Sequence, residues 1–116
     1  MAPKMDSEEF QTLIKDTLNK FEKAFIVYVG ENDRGHIKVD RKDIFELAID
    51  VNGIGQYRFF TFPGTEQLTM QSPVSGLYNY SYDKNNQFWK SVVQEHIIED
   101  LVIREFIMHS KGLLKL

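Results

Sequence analysis

The chain contains no cysteine, only three prolines and three histidines, and a single tryptophan in 116 residues. Without thiols there is no disulfide, no thiolate nucleophile and no cysteine-ligated zinc or iron–sulfur site, so any metal has to be held by carboxylates or imidazoles. Basic residues are not clustered: fourteen Lys and Arg are spread among seventeen Asp and Glu, for a net charge of −3. That balance argues against a nucleic-acid partner, whose phosphates call for a basic stripe. No apolar run approaches the length of a bilayer span, and MAPKMDSEEF at the start has neither the apolar stretch of a secretory signal nor the Arg-rich, acid-poor make-up of a transit peptide. A soluble protein with no membrane insertion is expected. Catalytic signatures are missing as well. Gly53-Ile54-Gly55 lacks the third glycine of a dinucleotide fingerprint and opens a strand, no serine stands in a nucleophile elbow, and no carboxylate pair is spaced for acid/base chemistry. The chain is not expected to be an enzyme.

What is present is globular: 42% hydrophobic and 13% aromatic residues, nine of them Phe. The length predicts one domain over residues 1–116, with an N-terminal tail at 1–5 and a C-terminal tail at 110–116. Phe10, Leu13, Ile14, Thr17, Leu18, Phe21, Ala24, Phe25 and Tyr28 recur at three- and four-residue spacing, which predicts a helix with Lys15, Lys20 and Lys23 outside. Asp6 can cap its start with Glu9 at the capping-box position, and GENDRG at 30–35 should end it. From Ile37 the period becomes two. Asn52-Gly53 predicts a hairpin between 44–51 and 56–62, FPGTE at 62–66 a further turn, and Ser72-Pro73-Val74-Ser75-Gly76 a corner before Tyr78, Tyr80 and Tyr82. A short strand holds Trp89, read as a core plug. Ser91 with Gln94 then predicts a closing helix of about five turns. Two one-sided helices must cover one face of the sheet, and the other face is left for water or a partner.

The pleat assigns the faces. With Leu68 and Met70 toward the helices, Gln67, Thr69 and Gln71 point away; Tyr78, Tyr80 and Tyr82 are core, and Asn79 and Ser81 face outward. Phe59 and Phe60 cannot share a face. With Phe59 inside, Arg58, Phe60 and Phe62 stand on the bare face, the composition of a docking patch, unless the tail SKGLLKL folds over them. His96, Glu99 and Asp100 share a helix face but lack a third ligand, and are read as a solvated face.

The run GQYRFFTFPGTEQLTMQSPVSGLYNYSY, with a Trp in a short strand and an amphipathic helix after it, resembles the frataxin family, most specifically at Gln67, Ser72, Pro73, Ser75, Gly76 and Tyr80, supported by Gly55 and Tyr57. The likeness spans roughly residues 6 to 108. It implies a two-layer α/β sandwich, class α+β, with two helices packed on one face of a five- to six-stranded antiparallel sheet. It also implies a protein that binds iron weakly through acidic side chains, with no tightly bound cofactor, and docks on the cysteine desulfurase and scaffold of iron–sulfur cluster assembly. The family's docking side chains are an Asn on the third strand, a Trp after the Gln of the fourth and an Arg on the fifth; here those positions read Phe60, Thr69 and Asn79. A buried Trp or Arg anchor carries about 2 to 4 kcal/mol, so Thr or Asn in its place weakens the inherited docking mode by about a hundredfold or more per lost anchor. The implied acidic ridge is thin: Asp6, Glu8, Glu9 and Asp16 are the candidate weak iron ligands, and the order Asp16 to Lys20 favours an ion pair that neutralises one of them.

Two functions are expected from these features. The first is an accessory factor of iron–sulfur cluster assembly whose contact surface is Arg58, Phe60, Phe62, Thr69, Gln71 and Asn79. The second is a structural subunit of a larger mitochondrial assembly, a respiratory complex or ribosome, that keeps the fold without iron chemistry and contacts neighbouring subunits. The family likeness implies the mitochondrial matrix, or the matrix side of the inner membrane, in a eukaryote and the cytoplasm in a bacterium.

Overall fold

The periodic segment forms a helix, α1, over Ser7–Asn32 of the computed structural model, which describes residues 7–32, 37–62 and 66–109. Ile14, Leu18, Phe21, Phe25 and Tyr28 make its buried stripe, and Lys15, Lys20 and Lys23 face water. α1 runs through Gly30 to Asn32, further into GENDRG than expected. The proposed cap Asp6 and the tail 110–116 lie outside the described residues.

Six antiparallel strands follow, each paired with the next in chain order: β1 Ile37–Asp43, β2 Glu46–Val51, β3 Gly55–Phe60, β4 Gln67–Ser72, β5 Gly76–Asp83 and β6 Phe88–Ser91. Their register sets Ile49 opposite Tyr57, Phe59 between Leu47 and Met70, and Leu68 opposite Tyr80, and all of these are fully buried. Each such side chain contributes about 1.5–3 kcal/mol by leaving water. The far end of β1 is fastened by Arg41, whose guanidinium donates to the carbonyls of Asp43 and Ile44 and to Asn19 and Glu22 of α1.

The closing helix, α2, spans Ile98–His109, 12 residues or about three turns instead of five. The Ser91 hydroxyl accepts from the amides of Val93 and Gln94, but the bonds close a bend and cap no helix. Ser91 also donates its own N–H to the His96 carbonyl at 2.9 Å, and Lys90 bridges to Ile97, so the chain doubles back on β6 before helix can start. Val92 and Val93, placed in this bend, are exposed.

Both helices lie on one face of the sheet. Phe25 meets Phe59 at 6.3 Å and Phe106 at 5.1 Å, Phe106 meets Tyr57 at 5.1 Å, and the buried Trp89 donates its indole N–H to Thr17 of α1. The SPVSG corner is drawn into this layer. Glu105 of α2, 4% exposed, accepts hydroxyl hydrogens from Tyr57 at 2.8 Å, Ser72 at 2.6 Å and Ser75 at 2.5 Å. The Ser72 hydroxyl also accepts from the amides of Val74 and Ser75 and so shapes the turn. Among the described residues no helix is long and apolar enough to cross a membrane.

Gly55 opens β3 with φ at +135° directly under Pro73, and a Cβ there would fall 2.6 Å from the Pro73 Cβ. Gly55→Ala is therefore expected to lower the unfolding free energy by about 1–3 kcal/mol through strain at the corner. Urea denaturation of the two proteins measures it, and an unchanged midpoint would show that the corner yields freely.

Candidate docking face and acidic groove

On the bare face, pairing aligns the outward residues in rows across the strands. Glu46, Phe60, Thr69 and Asn79 form one row, and Ala48, Arg58, Gln71 and Leu77 the next. The three positions carried over from the family likeness, Phe60, Thr69 and Asn79, are thus cross-strand neighbours. They do not present themselves alike. Phe60 is half-buried, with the Phe62 ring 5.1 Å away edge-on and the Arg58 guanidinium 4.6 Å from its centroid. Phe62 is 49% exposed, and Leu77 adds a further exposed apolar side chain.

Thr69 corrects the expectation. It is 1% exposed, set between Phe60 and Asn79, and its hydroxyl donates to Asn79 Oδ1 at 2.8 Å. A short β-branched side chain between larger neighbours sinks below them, so Thr69 supports the surface and offers no contact of its own, while Asn79 spends its carbonyl oxygen on that bond. Arg58 is held diagonally: Nη2 lies 2.9 Å from Glu46 Oε2, Nε donates to the same oxygen at 3.0 Å, and Nη1 leans toward Gln71 Oε1 at 3.5 Å. At this exposure the ion pair contributes at most about 1 kcal/mol to stability. Its effect is geometric, because it holds the cation over the Phe60 ring. The face that remains is Arg58, Phe60 and Phe62, bordered by Gln71 and Leu77. Glu46 belongs to it and was not foreseen, because diagonal partnership depends on register and not on spacing in the chain.

Along the first turns of α1, Glu8, Glu9 and Asp16 line an open groove of about 640 Å³ together with Thr12, Leu13, Tyr82, Lys84 and Gln87. Glu9 is ion-paired to Lys84 at 2.7 Å. The expected Asp16–Lys20 pair does not form: Lys20 reaches Glu99 of α2 at 3.8 Å, which leaves Asp16 turned to the groove. Among the described residues no group of three or more His, Asp or Glu side chains is close enough to hold a metal ion. Glu8 and Asp16 offer hard oxygen ligands, but only for loose binding with water completing the shell.

His96 also departs from its reading as part of a solvated face. Its Nε2 lies 2.8 Å from the hydroxyl of the fully buried Tyr80, and its ring meets Tyr78 and Tyr80 edge-on at 5.6 and 5.5 Å. Burial first, then the charge of Arg104, lower its pKa against the opposing pull of Asp100. Glu105 falls at helical spacing among the apolar residues of the closing helix, and that lone charge at a core position is the available sequence signal of its buried role. Burial, then the bond to Glu105, raises the phenol pKa of Tyr57 well above its ordinary value.

A six-stranded antiparallel sheet backed by two helices on one face and bare on the other defines a two-layer α/β sandwich protein. Matching follows that architecture closely: residues 3–111 match the frataxin-like domain, and the chain belongs to the frataxin family. Among solved structures it is similar to the trimeric frataxin of the yeast Saccharomyces cerevisiae complexed with ferrous iron, at 15% identity and TM-score 0.75, covering 96% of this chain and 94% of that one. The yeast trimer with full-length N-terminus matches at 18% identity and TM-score 0.70 over 92% of this chain and 84% of that one. Frataxin from Psychromonas ingrahamii matches at 12% identity and TM-score 0.72 over 96% and 97%. At these identities the structures establish the fold. No curated protein matches the chain.

The His96 shift has a definite sign. A histidine whose folded pKa lies below its unfolded value of about 6.5 adds stability above that pH, and the contribution is lost as pH falls through the folded value. The melting temperature is therefore expected to drop on going from about pH 7.5 to about pH 5.5, and to drop less in His96→Gln. Equal slopes for the two proteins would contradict the assignment.

Proposed function

We propose that the chain is a non-catalytic accessory factor of iron–sulfur cluster assembly, acting by docking its bare sheet face on the desulfurase and scaffold and binding iron weakly at the groove of α1. The observation that carries this reading is the patch of Arg58, Phe60 and Phe62: an oriented cation with two accessible rings on the one face that the helices leave open. Aromatic and arginine side chains are the usual anchors of protein interfaces. The yeast relative complexed with ferrous iron supports the iron part, and Glu8 and Asp16 are the ligands for it, Glu9 joining only by releasing Lys84. Asp6 completes the proposed set. The site of action is the mitochondrial matrix in a eukaryote and the cytoplasm in a bacterium.

One feature favours a second reading, a structural subunit of a larger mitochondrial assembly. Thr69 and Asn79 are bonded to each other, so two of the three family anchor positions are occupied within the chain. A partner shaped for this face would engage the Arg58–Phe60–Phe62 end alone.

Phe60→Asp decides the docking half. The variant is expected to lose capture of the purified desulfurase–scaffold complex while its unfolding free energy changes by no more than about 1 kcal/mol, since the ring is only partly buried. Retained capture would remove the face from the account. Ferrous titration followed by backbone chemical shifts is expected to move Glu8, Glu9 and Asp16; silence there, with capture lost elsewhere, favours the subunit.

A further inference from the structure

Tyr78, Tyr80 and Tyr82 stand at two-residue intervals on the helix side of β5, each step about 7 Å along the strand. The Tyr78 and Tyr80 centroids are 6.3 Å apart, and Tyr82 lies 5.2 Å from Trp89, the other readily oxidised side chain. Tyr82 lines the open groove, whereas Tyr80 is fully buried. Oxidisable rings therefore lead from an accessible surface to an interior phenol.

What distinguishes that phenol is its partner. Removing an electron from a phenol makes its O–H a strong acid, so oxidation is easy only where a base is already in place. His96 Nε2 sits 2.8 Å from the Tyr80 oxygen. The lowered pKa of His96, from burial and then Arg104, keeps the ring neutral and able to accept at neutral pH. Prior ionisation is closed to Tyr80, because burial, then Tyr78, Glu105 and Glu99, raise the phenol pKa well above its ordinary value. A cationic product is favoured by Asp100, with Arg104 opposing.

We propose that Tyr80 and His96 form a redox-active phenol–imidazole pair, a sink for one-electron oxidising equivalents that radical oxidants deliver to Tyr82 or Trp89. In the step, an electron passes from the Tyr80 ring to the oxidised neighbour: a Trp89 radical cation is restored by the electron alone, and a Tyr82 phenoxyl by the electron with a proton from water in the open groove. The Tyr80 O–H bond breaks, its proton forms an N–H bond at His96 Nε2, and a neutral phenoxyl and an imidazolium remain. A one-electron reductant of the ascorbate class reverses it. The tautomer required carries its resting proton on Nδ1 of His96. Trp89 is an entry point and not an end point, because its N–H donates to the hydroxyl of Thr17, a poor base. Tyr57 is a lesser sink: its partner Glu105 already accepts from Ser72 and Ser75, and a carboxylate is a weaker base than imidazole. The proposal stands apart from iron binding and docking.

The test uses the whole protein with photogenerated tris(bipyridine)ruthenium(III) as oxidant, no iron present, and electron paramagnetic resonance of the trapped radical. The expected result is a tyrosyl signal with an oxygen hydrogen-bonded to a cationic donor, lost in Tyr80→Phe. His96→Gln is expected to lower its yield several-fold and to leave oxidation at Trp89 and Tyr82. A signal of unchanged intensity in Tyr80→Phe, or one that disappears only in Tyr57→Phe or Tyr82→Phe, overturns the proposal. Should Tyr80→Phe unfold, a slower rise of the wild-type signal in deuterium oxide still supports proton transfer in the step, and an identical rise contradicts it.

Discussion

One buried carboxylate joins what the chain keeps far apart. Glu105 comes from α2, yet its three hydroxyl donors are Tyr57 on β3, Ser72 at the end of β4 and Ser75 in the corner that follows. Burying a carboxylate is costly unless its oxygens are satisfied, and satisfying them fixes the position of everything that donates. Because the Ser72 hydroxyl also receives two amides of the turn, the group that shapes the corner is the one that ties it to α2. Gly55 and Pro73 then bring the β2–β3 end into contact with the same corner.

The one-sided architecture follows from that lock. With α2 pinned over β3 and β4 and α1 sharing its aromatic core through Phe25 and Phe106, both helices are committed to one face of the sheet. The opposite face is left to side chains that organise one another: Glu46 steadies Arg58, Arg58 lies over Phe60, and Thr69 is tied to Asn79. Part of this surface keeps exposed apolar side chains, Phe62 and Leu77, and part is self-contained through the Thr69–Asn79 bond.

Much of the fold could be read in the residues. The helix stripe from Phe10 to Tyr28, the Asn52-Gly53 hairpin and the alternation in β2, β4 and β5 each reflect local periodicity, and the side on which Phe59 or Leu68 lies follows from the pleat. Tertiary contacts were not legible. Ser91 carries a sound capping signal, yet pairing of Lys90 with Ile97 delays α2 to Ile98. Asp16 and Lys20 are correctly spaced for a pair, but Glu99 arrives from another helix. Thr69 points outward as alternation demands and is still covered, because exposure depends on the size of the neighbours as well as on direction. His96 looked solvated because nothing near it in the chain announces Tyr80.

The most direct test of the central claim is a double-mutant cycle on the lock, with Glu105→Gln, Ser75→Ala and their combination measured by equilibrium denaturation. If the carboxylate holds the corner to α2, each single change lowers the unfolding free energy by about 1–3 kcal/mol, and the pair costs clearly less than the sum. Strictly additive losses, or a Glu105→Gln protein as stable as the parent, would contradict it.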